Sequence, residues 1–204
     1  MTGKLIVLEG IDGSGTTTQA ARLGAHFSAY VTREPSHGPI GMLIRQLLAI
    51  EVQHVDQTAM ALLFAADRMD HLRREIEPKL AAGINVISDR YVISSCVYQA
   101  RFIAPEFVWH VNASARAADL TLLLAVPPEV AATRRATRGG PTEMYDDLQL
   151  QTAFANQYAS LEADIVQREH VVSIDGTRSQ DQVFASLVEA VKTCIDPTRG
   201  SSST

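Results

Sequence analysis

The sequence is poor in lysine. Of the 18 lysines and arginines among its 204 residues, only Lys4, Lys79 and Lys192 are lysines, so a site needing fixed positive charge has to be built mainly from arginine. Acidic residues number 23 and the net charge is −5, which argues against a broad surface for coating nucleic acid. Cysteine is nearly absent. Cys96 and Cys194 are too few for a disulfide framework and too far apart for metal-ligand spacing, as expected for reduced thiols. Long apolar runs are missing as well: the densest, Leu120 to Val126, falls far short of the roughly 20 residues of a membrane span. Glu9 and Asp12 interrupt the first apolar segment, so no signal peptide is expected, and the chain reads as cytoplasmic with no membrane partner. No short repeat recurs, which argues against a solenoid. The six histidines form no ligand or triad spacing and read as surface or satisfied polar residues.

What is present suits a sizeable core: 46% of residues are hydrophobic and 20% charged. Short apolar runs alternate with longer amphipathic segments, the pattern of a parallel sheet covered by helices. The strand candidates are Leu5–Leu8, Tyr30–Thr32, Ile84–Ser88, Leu120–Val126 and His170–Ile174. Helices are expected over Thr17–Phe27, Ile40–Ile50, Gln57–Leu80, Ser94–Phe102, Pro105–Ala117, Glu129–Thr137, Asp147–Gln167 and Gln180–Cys194. No linker-like shift divides the chain, so residues 1–195 read as one α/β domain and 196–204 as a flexible tail. Gly139, Gly140 and Pro141 break two helical runs, and the segment from Arg138 to Tyr145 reads as a mobile surface loop.

The first strand runs into Gly10-Ile-Asp-Gly-Ser-Gly-Thr-Thr-Thr-Gln19, and a helix follows. Glycines there let backbone N–H groups turn inward on an anion, with the helix N-terminus behind them adding partial positive charge. Gly10 and Gly15 have the spacing of a phosphate-binding loop, with Gly13, Ser14 and Thr18 beside them, and Thr17 stands where a Mg²⁺-binding hydroxyl belongs. The motif demands lysine at position 16, however, and this chain has Thr16. The plainer reading is a glycine-rich turn with a threonine as N-cap.

Further motifs follow in order: Thr32-Arg-Glu-Pro35, Leu63-Phe-Ala-Ala-Asp-Arg68, Ser88-Asp-Arg-Tyr91 and Ser94-Ser-Cys-Val-Tyr-Gln99. From the first strand to the last helix the sequence resembles the thymidylate kinases, P-loop enzymes that transfer the γ-phosphoryl of ATP to dTMP. The resemblance implies a three-layer P-loop NTPase-like fold with a five-stranded parallel sheet and a lid near 134–146. It also implies ATP as co-substrate, Mg²⁺, small-molecule rather than nucleic-acid partners, and a homodimer.

Residue by residue, the resemblance assigns stacking on thymine to Phe64 and contact with its carbonyl edge to Arg68. These two are i, i+4 neighbours on one helix face, although a lone helical Phe is more often core. Ser95, Tyr98 and Gln99 match positions that contact the base and crowd the sugar. Asp12 matches the acid that holds the sugar 3′-hydroxyl, and Arg45 and Arg90 match phosphate contacts. Arg33 is a weaker match that could equally be a structural ion-pair partner. Asp89 would hold Mg²⁺ with Thr17, through water, or else cap its strand. A monophosphate is already ionised at neutral pH, so catalysis needs positioning and charge neutralisation rather than a general base.

Here Thr16 matters. Losing one preorganised donor at a charged transition state costs roughly 2.7–4 kcal/mol, and an arginine delivered in cis is worth about 10³–10⁵ in rate. Arg134, Arg135 and Arg138 lead into the expected lid and could supply that charge, with Arg134 and Arg138 on one face; a solvated charged face is the alternative. Met144 is a further departure, standing where many family members have arginine. Two other functions stay open: a catalytically weak nucleotide-binding homologue, and a kinase for a modified pyrimidine deoxynucleoside monophosphate.

Overall fold

The computed structural model describes residues 2–49, 55–138, 145, 147–165 and 170–196, without the side chains of 49, 138 and 161–165. Several expectations lie outside these: Ile50, His54, the loop at 139–144, Gln167, the tail from 197 and the side chain of Arg138.

Five strands form one parallel sheet: β1 (Leu5–Glu9), β2 (Tyr30–Arg33), β3 (Val86–Asp89), β4 (Leu120–Ala125) and β5 (Val171–Asp175), in the order β2-β3-β1-β4-β5. The chain winds to one side of β1 and then to the other. Crevices therefore open beside β1 at the carboxyl ends of the strands, where open α/β sheets place their ligands. Alternation along β1 explains why both faces are covered. Ile6 and Leu8 pack with Leu120, Leu122 and Leu124 against α1 (Thr16–Phe27) and α9 (Gln180–Ile195). Leu5 and Val7 face the other way, toward Leu72, Ile76, Leu80 and Val108.

That second face is covered by the turn Leu72–Ile76 that follows α3 (Gln57–His71), and by α4 (Glu77–Ala81), α5 (Val92–Tyr98) and α6 (Pro105–Val111). A third cluster joins Ile11, Val97, Tyr98 and Leu123 to α7 (Pro128–Arg138) and α8 (Leu148–Ile165) through Ala131, Phe154 and Tyr158. The remaining helix, α2 (Pro39–Ala49), packs on α3. No helix among the described residues is long and apolar enough to cross a membrane.

The structure departs from the sequence expectations in four places, one being the expected helix Ser94–Phe102, which starts at Val92 and tightens into a 3-10 turn over Gln99–Arg101. Gln57–Leu80 is not one α-helix, because Leu72–Ile76 forms a π turn between α3 and α4. Such turns are rare within helices and gather at functional sites. The helix from Pro105 stops at Val111, with Asn112 as C-cap, instead of reaching Ala117. The third strand begins at Val86 rather than Ile84, because Ile84 N bonds back to Lys79 O and closes the turn after α4.

Candidate active site

β1 delivers the chain at Gly10 into a tight loop, closed by Ser14 N on Ile11 O at 3.0 Å. Gly15 caps α1 with φ +103°, a left-handed conformation that favours glycine, and no side chain caps the helix. The reading of a threonine N-cap is thus corrected: Thr16 is the first residue of α1 and is 5% exposed. Gly13 has φ +90°, and a Cβ there would lie 2.5 Å from Ala131 O and 3.0 Å from Arg135 Cγ. Its bare backbone is what lets α7 approach the loop.

Above the loop lies a cleft of about 750 Å³. Its walls are the loop from Asp12 to Gln19, Asp89 and Arg90 after β3, Arg33, the arginines of α7, and the turn from Gly176 to Arg178. Thr17 Oγ1 donates to Asp89 Oδ2 at 2.5 Å, while Asp89 Oδ1 is buried with no hydrogen-bond partner. An unpartnered carboxylate oxygen beside a hydroxyl at a phosphate loop fits a Mg²⁺ site of the type that uses few protein ligands and substrate phosphates. Among the described residues no cluster of three acidic, His or Cys side chains could hold a metal alone.

On the other side of the loop, Asp12 is bonded from three directions. Arg90 Nη2 donates to its Oδ1 at 2.5 Å, and Tyr98 Oη and Gln151 Nε2 each donate to Oδ2 at 3.1 Å. Arg90 has φ +74°, a strained backbone for a non-glycine residue, and also donates to Gly10 O at 2.8 Å. Behind it, Glu9 is fully buried and accepts from Tyr91 N, Ser94 N, Ser94 Oγ and Tyr158 Oη at 2.6–3.1 Å. Burial pushes the Glu9 carboxyl up, opposed by the Ser94 and Tyr158 bonds and the Arg90 charge. Desolvation likewise raises Tyr98, so its hydroxyl keeps its proton at any working pH.

Of the residues expected at the base, Arg68 is 1% exposed and is in contact with Ser95. It donates to Glu34 Oε2 at 2.8 Å, Tyr91 O at 3.0 Å and Ser95 Oγ at 3.1 Å, and also to Asn112 Oδ1. Phe64 is half-buried on the same helix. Gln99 is buried, and its Oε1 has no partner. Arg45 donates to Pro35 O. On α7, Arg134 reaches Gly176 O at 2.9 Å and Ser14 O at 3.4 Å, and Arg135 donates to Asp12 O. Arg33 lines the cleft, exposed, and makes no ion pair among the described residues.

The family model for thymidylate kinase matches residues 8–187. A probable thymidylate kinase of Pyrobaculum aerophilum is 40% identical over 192 residues, covering 93% of this chain and 97% of its own. One from Pyrococcus abyssi is 37% identical over 94% and 97%, and a thymidylate kinase of Dinoroseobacter shibae 35% identical over 91% and 95%. The chain belongs to the thymidylate kinase family. It is an enzyme of the nucleotide-binding kinase class, with the α/β fold expected of it.

Within this family member the structure adds residues that sequence reading passed over. Glu9 was noticed only as a break in an apolar run, though an acid ending a fully buried strand was a usable signal. Gln151 and Tyr158 lie seven apart on α8, a buried face that gives no hint of polar work. Glu34 and Ser94 lie inside quoted motifs that give them no role of their own, and Asn112 carries no local signal. Gly13→Ala would impose left-handed backbone on alanine, worth about 1–2 kcal/mol, as well as the clash with Ala131. It is expected to lower the melting temperature by about 3 °C or more in calorimetry; an unchanged melt would show that α7 does not rest on the loop as described.

Proposed function

We propose that this enzyme transfers the γ-phosphoryl of ATP to dTMP. The observation that carries the reading is Asp12: a phosphate-loop carboxylate bonded to both Arg90 and Tyr98, so that donor cleft and acceptor residues meet on one side chain. In this reading the triphosphate lies over Gly10, Gly13, Ser14, Gly15, Thr16, Thr17 and Thr18. The thymine lies against Phe64, with Arg68, Ser95 and Gln99 at its edge. Tyr98 and Asp12 hold the sugar, and Arg45 and Arg90, with Arg33 near, hold the acceptor phosphate.

A phosphate oxygen of dTMP attacks the γ-phosphorus in line and the bond to the β-bridging oxygen breaks, releasing ADP. Thr17 and, through water, Asp89 would hold Mg²⁺, which when bound supplies charge neutralisation on the phosphates. Coupled ADP release should be fastest with dTMP among dTMP, dUMP and dCMP. Tight dTMP binding with no turnover of any monophosphate would leave only a nucleotide-binding protein.

The lysine's charge is supplied, in this reading, by arginines that include the lid. Arg134 supports it: among the described residues its guanidinium meets only the neutral carbonyls of Ser14 and Gly176, so its charge is uncompensated at the cleft. Arg134→Ala should lower kcat by at least about tenfold with little change in KM for dTMP; Arg138, whose side chain lies outside the described residues, is expected to act with it. An unchanged kcat in both variants would refute lid arginines.

A homodimer is supported by an apolar stripe on α3. Leu62 and Met69 are 48% and 40% exposed, with Ala59 and Ala66 on the same face, and Met42 of the adjoining α2 is 47% exposed. Spacings of three and four residues make this a continuous helix face of the kind that pairs with a second copy. Leu62→Glu should shift sedimentation from dimer to monomer, and a chain already monomeric at micromolar concentration would rule the dimer out.

A further inference from the structure

Behind Arg68 lies a buried histidine that none of the chemistry above uses. His71 follows Arg68 by three residues at the end of α3, and its side chain is 0% exposed. The two ring nitrogens face different partners. Nδ1 is 3.3 Å from Glu34 Oε1, while Nε2 is 2.7 Å from Thr32 Oγ1 and 3.4 Å from Glu75 Oε1. Thr32 has one hydroxyl proton, and it goes to Glu75 Oε1 at 2.6 Å, because an ionised carboxylate can only accept. Thr32 Oγ1 therefore meets Nε2 as an acceptor, and Nε2 carries hydrogen. Nδ1, facing a carboxylate, carries hydrogen too. Either neutral tautomer would set a ring lone pair against an oxygen lone pair in a buried site, where an unmade hydrogen bond is expensive.

The surrounding charges agree. Glu34 faces the ring from the loop after β2, Asp67 from α3 and Glu75 from the π turn; Tyr30 of β2 donates to Glu75 at 3.0 Å. Asp67 is itself held by Ser36 N and Oγ, each at 2.6 Å. Burial alone would lower the pKa of His71; the Glu34 hydrogen bond and the charges of Glu34, Glu75 and Asp67 outweigh it and hold the imidazole above its ordinary value. Among the described residues the other cations here are Arg68, on the far oxygen of Glu34, and Lys79, whose ammonium lies 4.7 Å from the centre of the Tyr30 ring.

We propose that His71 is a buried imidazolium that positions Arg68 through Glu34, so that the grip on the pyrimidine base depends on the charge of a residue that never touches it. The proposal rests on the reading of Arg68 as a base contact. Glu34 is divided between two cations, Oε1 to His71 and Oε2 to Arg68. When His71 loses its charge, whichever ring proton leaves, its pull on Oε1 weakens and the carboxylate shifts its bonding onto Arg68, disturbing the guanidinium that Ser95 and the Tyr91 carbonyl otherwise hold. The folded-state pKa is raised, so the positioning is complete on the acid side and is lost as pH rises through that value, above the ordinary pKa of about 6.5.

The test uses the full-length protein with isotope-labelled histidine and long-range proton–nitrogen spectra. Both His71 nitrogens should show the imidazolium pattern at neutral pH, with a midpoint above about 6.5 that falls in Glu75→Gln. His71→Gln, which keeps hydrogen bonding and loses the charge, should raise KM for dTMP about fivefold or more while kcat and KM for ATP stay within about twofold. The ratio of variant to wild-type KM cancels the ionisation of dTMP itself, and it should approach one at high pH as wild-type His71 deprotonates. If His71→Gln does not fold, Glu75→Gln carries the kinetic test, its KM for dTMP beginning to rise at lower pH than in wild type. A neutral-imidazole pattern at neutral pH, or an unchanged KM, overturns the proposal. Absence of turnover with every pyrimidine monophosphate would instead defeat the functional reading, and the ring spectra would still decide the charge of His71.

Discussion

The working end of the sheet is pinned by one buried carboxylate, Glu9, at the last position of the central strand. Removing a carboxylate from water costs several kcal/mol unless donors replace the lost hydration. Here four donors do so, two from the backbone at Tyr91 and Ser94 and two from the hydroxyls of Ser94 and Tyr158. They come from the corner between β3 and α5 and from α8, so satisfying Glu9 locks three elements together. It also fixes polarity. Ser94 gives its only proton to Glu9 and can meet Arg90 only as an acceptor, at 3.1 Å. The left-handed backbone of Arg90 is held from both ends, by this corner and by Asp12 in the phosphate loop. A strained residue persists only where its surroundings over-determine it.

The lysine-poor composition acquires mechanical meaning in this setting. A lysine within a phosphate loop travels with the loop and is in place whenever the loop is. The arginines lining the cleft come from four separate places: Arg33 from β2, Arg90 from the corner after β3, Arg134 and Arg135 from α7, and Arg178 from the turn after β5. Arg178 shares its charge with Asp175 at 3.3 Å, and Arg33 and Arg134 make no ion pair among the described residues. Charge over the phosphates therefore depends on how closely α7 approaches, which in turn depends on the missing Cβ of Gly13. A guanidinium also suits the task better than an ammonium from a distance, because its planar fork can span two acceptors, as Arg134 spans Ser14 O and Gly176 O.

The architecture was legible because strands buried on both faces read as unbroken apolar runs and helices as amphipathic ones. The tight glycine loop between β1 and α1 was legible from glycine spacing, and Arg68 and Ser95, picked from separate motifs, prove to be in direct contact. What could not be read has a common cause. Glu9 to Tyr158, Asp12 to Gln151 and Glu34 to His71 are contacts between residues 149, 139 and 37 positions apart, and no local pattern encodes them. The π turn was hidden for another reason: one extra residue per turn leaves an apolar stripe nearly intact, so Leu72, Ile76 and Leu80 fit either geometry.

The distribution of counter-charges separates the two halves of the site. Two of the arginines read as acceptor contacts arrive with their own acids, Glu34 for Arg68 and Asp12 for Arg90, so those two guanidinium groups are held before any substrate binds. Such pairs aim hydrogen-bond donors without adding a strong field, which favours recognition by shape and edge. Over the glycine loop Arg134 meets only carbonyls among the described residues, and positive charge gathers there within a chain whose net charge is −5. In the proposed reading a triphosphate would be drawn to that half by charge, whereas a monophosphate would have to satisfy donors already committed to acids. On that reading two anions would bind on either side of Asp12, one drawn by uncompensated charge and the other by prealigned donors, without a lysine between them.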